Sequence, residues 1–163
     1  MNKIYQLIDR ITPKNYWLQL LTITFYSLVI SVCFNLFISG VLHLNFDLPD
    51  SKLFTFLRKY WIFQFAVFVI IAPLIETTIL QWLPYKFYNY FKTSSKFDVL
   101  FWVFAALFFG LLHNYSFGYQ IVATILGLNF VLFTMYYAEK RNNYFFPIFF
   151  IHSINNFLAF LDN

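Results

Sequence analysis

Charged residues are all but absent from five long stretches of the chain and gather at most of the breaks between them. Residues 16 to 44, 99 to 117, 119 to 138 and 144 to 161 contain no Asp, Glu, Lys or Arg, and residues 61 to 85 contain one, Glu76. A helix needs about 20 apolar residues to cross the hydrocarbon core of a bilayer. The pattern therefore predicts an all-α, polytopic transmembrane helical bundle of about five spans, the last close to the minimum length. A barrel would need short alternating strands separated by turns, which this sequence does not offer. Ahead of the first span, Ile4, Leu7, Ile8 and Ile11 recur at helical spacing, flanked by Lys3, Arg10 and Lys14. That stripe predicts an N-terminal amphipathic helix on the membrane surface, with a frayed tail as the alternative. Residues 45 to 60 leave room for a further interfacial helix. The short turn from Asn114 to Tyr119 predicts that the third and fourth spans are antiparallel neighbours.

Composition agrees with lipid as the solvent. Of 163 residues, 61% are hydrophobic and 11% charged, against about a quarter charged in soluble domains. The length suits one membrane domain over residues 1–163. The net charge of +4 comes from small basic groups at the ends of apolar runs. That placement is a membrane flank and not a nucleic-acid patch, so no nucleic-acid partner is expected. Lys3, Arg10, Lys14, Lys86, Lys92, Lys96, Lys140 and Arg141 share one side of a five-span topology; Lys52, Arg58 and Lys59 take the other. The positive-inside rule then places the N-terminus in the cytoplasm and the C-terminus outside. The abundance of Phe, Tyr, Ile, Asn and Lys fits an AT-rich bacterial genome, hence an inner (cytoplasmic) membrane. Trp17, Trp61, Trp82 and Trp102 near span ends suit an interfacial aromatic belt. Cys33 lies in an apolar run, which suggests a packed thiol. His43 reads as an interfacial histidine, and Glu139, Lys140 and Arg141 as a solvated turn.

Three polar groups inside the apolar runs require a reason. A carboxylate in hydrocarbon costs at least a few kcal/mol, so Glu76 is either a paired structural group or a functional one. Pro73 precedes it by three residues, removing a helical N–H and predicting a kink that frees backbone polar groups. Phe109 and His113 lie four apart on one helix face, with Gly110 allowing close backbone approach. His152 and Asn156 are also four apart, with Pro147 ahead of them and Asn155 at spacing three as a partial substitute. Each could be a packed or interhelical hydrogen-bonding group. Together they form a set that can activate a water, through Glu76 or His113, and stabilise an oxyanion, through His152 and Asn156.

The order and spacing resemble the CPBP (CAAX protease and bacteriocin-processing, or Abi) membrane proteases, which include the type II CAAX prenyl endopeptidases. Their pattern is Glu-Glu-x-x-x-Arg, Phe-x-x-x-His and His-x-x-x-Asn/Asp. The second matches at Phe109 and His113, the third at His152 and Asn156, and the likeness covers about residues 66–161. The first departs from the pattern. Glu76 matches the first Glu, but Thr77 and Gln81 stand where the second Glu and the Arg would be, as if a buried ion pair had become a neutral hydrogen-bonding pair. The resemblance implies an intramembrane endopeptidase acting on a peptide or lipidated-protein substrate, with Glu76 and His113 activating water and His152 and Asn156 as the oxyanion hole. It leaves open a metal. Glu76, His113 and His152 could form a two-His, one-carboxylate site for a divalent ion such as Zn; without a local His-Glu-x-x-His signature, a cofactor-free site is expected. A catalytically silent relative that binds a peptide or partner in immunity or assembly is the alternative the degenerate first motif supports. A small proton-coupled transporter is the third.

Overall fold

The computed structural model describes residues 2–42, 60–91, 95–141 and 143–161. Among these residues there are six helices and no strand: α1 (Asn2–Ile11), α2 (Tyr16–Gly40), α3 (Trp61–Phe91), α4 (Ser95–Leu112), α5 (Phe117–Arg141) and α6 (Phe145–Leu161). The protein is a helical membrane bundle. By length and composition, α2, α3 and α5 are each able to cross a bilayer, while the apolar parts of α4 (Val99–Leu112) and α6 are shorter. Large apolar side chains stand exposed around the outside, among them Phe25, Leu36, Ile62, Phe104 and Leu111. In water this surface would drive aggregation; in lipid it is the solvent-matched face. His43 and the 45–60 segment lie outside the described residues apart from Tyr60.

α5 is the central post. Its buried face carries Val122, Phe130, Val131, Thr134, Tyr136 and Tyr137. α4 lies closest to it because glycine stands on both sides of the crossing. A Cβ on Gly127 would come to 3.0 Å from Phe109 Cβ and 3.1 Å from Ala106 Cα. A Cβ on Gly110 would collide with Thr124 Oγ1 and reach 2.8 Å from the Gln120 carbonyl. Close backbone approach of this kind is how helices pack where lipid removes the hydrophobic drive.

α3 takes an unusual course with a local cause. Ala66–Ile71 and Thr77–Trp82 are π-helical, with α-helical turns before, between and after. Each π segment ends two residues ahead of a proline, Pro73 or Pro84. The Ala72 N–H bonds to Val67 O and the Leu83 N–H to Thr78 O, five residues back in each case. A proline has no N–H to hold the tighter α ladder, so the ladder slips by one residue in front of it. The kink expected before Glu76 is thus a π segment. The helix also continues to Phe91, well past the end of the apolar run at Tyr85.

α2 begins at Asn15, whose side-chain oxygen accepts from Trp17 N–H at 3.0 Å and Leu18 N–H at 3.2 Å. Asn is among the best N-caps because this contact satisfies two orphaned donors. α1 is amphipathic, but its apolar stripe is divided. Ile8 faces the bundle with Tyr5 and Thr12, while Ile4, Leu7 and Ile11 stay exposed. Tyr5 packs edge-on against Tyr136 at 5.8 Å. Polar bonds lock the contact. Tyr136 O–H donates to Asp9 Oδ1 at 2.6 Å, and Lys140 Nζ donates to Asp9 Oδ2 at 2.7 Å. Gln19 Nε2 donates to Tyr136 Oη at 2.8 Å and to Thr12 Oγ1 at 3.0 Å.

Two expectations are corrected here. Glu139, Lys140 and Arg141 are exposed, but they form the last turn of α5 and not a turn between helices; Lys140 holds α1 while Arg141 lies 5.7 Å from the Tyr16 ring. Cys33 is exposed on the lipid-facing side of α2 and is not packed. A long apolar helix in lipid hides only one face, and position 33 falls on the other.

Candidate active site

Three helices bring Glu76, His113 and His152 to one point. Glu76 Oε2 lies 3.5 Å from His113 Nε2 and 3.4 Å from His152 Nε2. That oxygen is buried and makes no hydrogen bond within the usual limits. The Glu76 side chain as a whole remains 26% exposed, so the carboxylate has one oxygen inside the histidine pair while the rest of the group can be reached.

His113 sits just beyond the last residue of α4. Its backbone N–H turns back to the Gly110 carbonyl at 3.1 Å. Its Nδ1 lies 2.7 Å from the Phe109 carbonyl. A carbonyl only accepts, so Nδ1 is the protonated nitrogen. Nε2 of a neutral His113 is then a bare acceptor facing a carboxylate, itself an acceptor. The pair therefore needs a shared proton or an intervening donor such as water, which is the arrangement of a proton-transfer site. Phe109 stacks on the His113 ring at 4.5 Å and 30°. This is why the Phe-x-x-x-His spacing matters: the pair sits on one face, and the ring fixes the imidazole plane.

His152 is 2% exposed and lies against Phe130 at 4.7 Å and Phe109 at 5.7 Å. Its Nδ1 is buried without a partner. The tautomer with the proton on Nε2 avoids stranding a donor at Nδ1 and points N–H toward the Glu76 side.

Asn156 is positioned by the π segment. In the slipped ladder the donor for Phe68 O would be the nitrogen of Pro73, which bears no hydrogen. Asn156 Nδ2 donates to that carbonyl at 2.9 Å. The amide nitrogen carries two hydrogens, so one stays free for another acceptor. Asn155 does not join the group: its Nδ2 donates to Ile151 O at 2.8 Å and to Ser27 Oγ of α2 at 3.4 Å. One residue along a helix is a rotation of about 100°, which carries Asn155 to the α2 side.

Thr77 and Gln81 are 1% and 2% exposed, but they do not bond to each other as expected. Thr77 Oγ1 and both amide atoms of Gln81 lack partners. Both are buried within the second π segment, but their polar atoms do not come within hydrogen-bond reach of each other.

Other contributors carried no motif. Tyr119 stacks on the open face of His113 at 5.9 Å, and Tyr115 meets it edge-on at 6.3 Å. Their only sequence signal was the short aromatic turn directly after His113. Phe130 gave no signal beyond apolarity. No three His, Cys, Asp or Glu side chains among the described residues are grouped to enclose a metal ion; two imidazoles share a single carboxylate oxygen instead.

A family model described as type II CAAX prenyl endopeptidase Rce1-like matches residues 58–158. No curated protein and no solved structure matches the chain. The matched region holds all of α3, α4 and α5 and nearly all of α6, and with them Glu76, His113, His152 and Asn156. The chain therefore belongs to the type II CAAX prenyl endopeptidase Rce1-like family, a family of membrane proteases.

Proposed function

We propose that this chain is an active intramembrane endopeptidase and that Glu76, His113, His152 and Asn156 carry its chemistry. The observation behind this reading is the meeting of two imidazole Nε2 atoms at one oxygen of the only carboxylate in the described membrane-spanning apolar stretches. Glu76, with His113 held by Phe109 O, takes a proton from water as the water attacks the scissile carbonyl. The negative charge that forms on the carbonyl oxygen is met by His152 Nε2–H and the second Nδ2 hydrogen of Asn156. The proton on the Glu76–His113 pair then passes to the departing amine, closing the cycle without net proton change. The low-dielectric surroundings strengthen each of these interactions. Phe109 and Tyr119 keep the His113 plane fixed. Thr77 and Gln81 stay neutral supports under Glu76.

The substrate on this reading is a membrane-associated peptide or lipidated protein. The membrane is a bacterial inner membrane, with the N-terminus and the α1 face in the cytoplasm. The site works without a cofactor. The alternative, a divalent ion such as Zn held by Glu76, His113 and His152, predicts loss of turnover on exhaustive chelation and recovery with added Zn.

One observation favours a silent, peptide-binding role instead: the charged pair of the first motif is replaced by Thr77 and Gln81, which do not bond to each other. Glu76→Gln separates the readings. It keeps the shape and removes the basic oxygen. In reconstituted membranes with prenylated and unprenylated peptide substrates, the variant should insert normally and lose cleavage. A cleavage rate equal to the parent protein would end the protease mechanism; a phenotype that survives Glu76→Gln would establish the binding role.

A further inference from the structure

A second polar site lies at the opposite end of the bundle's chemistry, where α1 meets the end of α5. A cavity of about 370 Å³ is lined there by Asp9, Thr12, Lys14, Gln19, Lys140 and Arg141, among others. Three of these are cations and one is an anion. Asp9 is already occupied by Tyr136 and Lys140. Lys140 is therefore partly neutralised, while Lys14 and Arg141 bring charge with no carboxylate partner among the described contacts. Arg141 is held in place by its guanidinium over the Tyr16 ring and a 3.5 Å contact to Lys14 O. Gln19 closes the floor. It is 4% exposed, and its Oε1 is buried without a partner although its Nε2 makes two bonds.

The setting identifies the occupant. Ile4, Leu7 and Ile11 of α1 point away from the bundle, and Trp17, Leu18 and Leu21 of α2 are exposed beside the cavity's own Gln19. These are lipid-facing surfaces on both flanks of a cationic cavity. An acyl chain can lie along α2 while its headgroup sits between Lys14 and Arg141. Arg and Lys bind phosphate through charge-assisted hydrogen bonds. A headgroup that also bears hydroxyl or ammonium donors can supply the donor that Gln19 Oε1 lacks.

We propose that this cavity binds the phosphate of an anionic membrane lipid, with Lys14 and Arg141 as the anion-binding groups, and that the bound lipid clamps α1 onto the bundle. The site is separate from Glu76 and its histidines and does not depend on the protease reading. Asp9 has a defined part: it positions Lys140 and Tyr136, and its charge limits affinity for the anion.

The test uses the full chain, purified in neutral detergent and titrated with phosphatidylglycerol, phosphatidylcholine or inorganic phosphate. Native mass spectrometry reads the affinity of each adduct, and amide exchange reads protection of residues 2–11. Phosphatidylglycerol should bind and protect α1 at least about tenfold better than phosphatidylcholine, whose fixed choline cation is repelled by the lining cations and has no hydrogen to donate to Gln19 Oε1. Lys14→Gln combined with Arg141→Gln should remove that preference. Asp9→Asn should raise phosphatidylglycerol affinity several-fold, a gain that a misfolded variant cannot imitate. Equal binding of the two lipids, an unchanged double variant, or a lowered affinity in Asp9→Asn would overturn the proposal. Equal protection by inorganic phosphate would overturn the lipid as the source.

Discussion

Asn156 holds two roles that a single substitution would confuse, and the structure offers a way to part them. Its Nδ2 satisfies Phe68 O at 2.9 Å, and in the proposed mechanism it also faces the oxyanion. Asn156→Ala removes both. Losing one hydrogen bond to a carbonyl away from water costs about 0.5–1.5 kcal/mol. Losing one oxyanion donor costs roughly 100- to 1000-fold in turnover. The structural loss should appear in unfolding in mixed detergent, the catalytic loss in kcat on a peptide substrate. The N–H five residues on from Phe68 would belong to residue 73, which is proline and has none. Pro73→Ala returns an N–H five residues on, so in that background Asn156→Ala should cost about zero stability, within about 0.5 kcal/mol. Stability of the two single variants and the double variant forms the complete cycle. Turnover is measured only in the Pro73 background, because restoring the N–H also allows the ladder to tighten and Glu76 to rotate. An Asn156→Ala penalty that stays the same in both backgrounds would refute the link from Pro73 through Phe68 to Asn156. A kcat within threefold of the parent would remove Asn156 from the oxyanion hole.

Three further outcomes follow from contacts described above. Gly110→Ala should destabilise the bundle by about 1–3 kcal/mol in the same unfolding assay, and Thr124→Ala should recover only part, because the Gln120 carbonyl at 2.8 Å remains in the way. Thr77→Glu and Gln81→Arg should each lower the yield of folded protein, and the two together should lower it less, since each alone buries an unpaired charge; equal losses for singles and double would show that the two positions do not meet. The hydrogen bond from Lys140, with that from Tyr136 behind it, holds the Asp9 carboxyl below its ordinary value. Its contribution to α1 docking is therefore complete above the usual carboxylate range and fades as pH falls through the lowered value, so α1 amide protection should be flat from neutrality to about pH 5 and decline below about pH 4. Partial exposure of the pair limits the effect to about 1 kcal/mol or less, and Asp9→Asn should abolish the pH step.

The apolar runs gave the helices because a bilayer imposes one rule on every span: about 20 residues with no unpaired charge. Where another rule took over, the reading failed. α3 passes Tyr85 and ends at Phe91 because Lys86 can lie beside Trp82, 5.6 Å from its ring centroid, and a helix need not stop where apolarity does. Depth counted from the apolar ends alone would put Glu76 and His113 at different levels, yet α3 runs on to Phe91 and the two side chains meet at 3.5 Å. Candidate residues were legible through spacing of four, which put Phe109 beside His113. Spacing of four misled at Thr77 and Gln81, which lie in a π segment but do not bond to each other. Nothing in a pattern of apolar positions signals an extra residue per turn, although prolines at 73 and 84 mark where the ladder can slip. The link from Asp9 to Lys140 spans 131 positions of sequence, and two charges that far apart read only as separate flanks. The slot taken by Asn155 against Ser27 is likewise tertiary, since both residues looked equally free from either helix alone.

The slips in α3 also govern how that helix meets its neighbours. An ordinary α-helix repeats about every 3.6 residues, so side chains spaced by four drift steadily around it. In α3, Val69, Pro73, Thr77 and Gln81 are all buried, four apart each time. Alternating π and α turns average their two periods and hold such a series in a straight line. The result is a seam that runs parallel to the helix axis, without the supercoil that a drifting stripe imposes on paired helices. α6 packs along α3 at both π segments, and Glu76, one residue off that seam, meets His152 of α6.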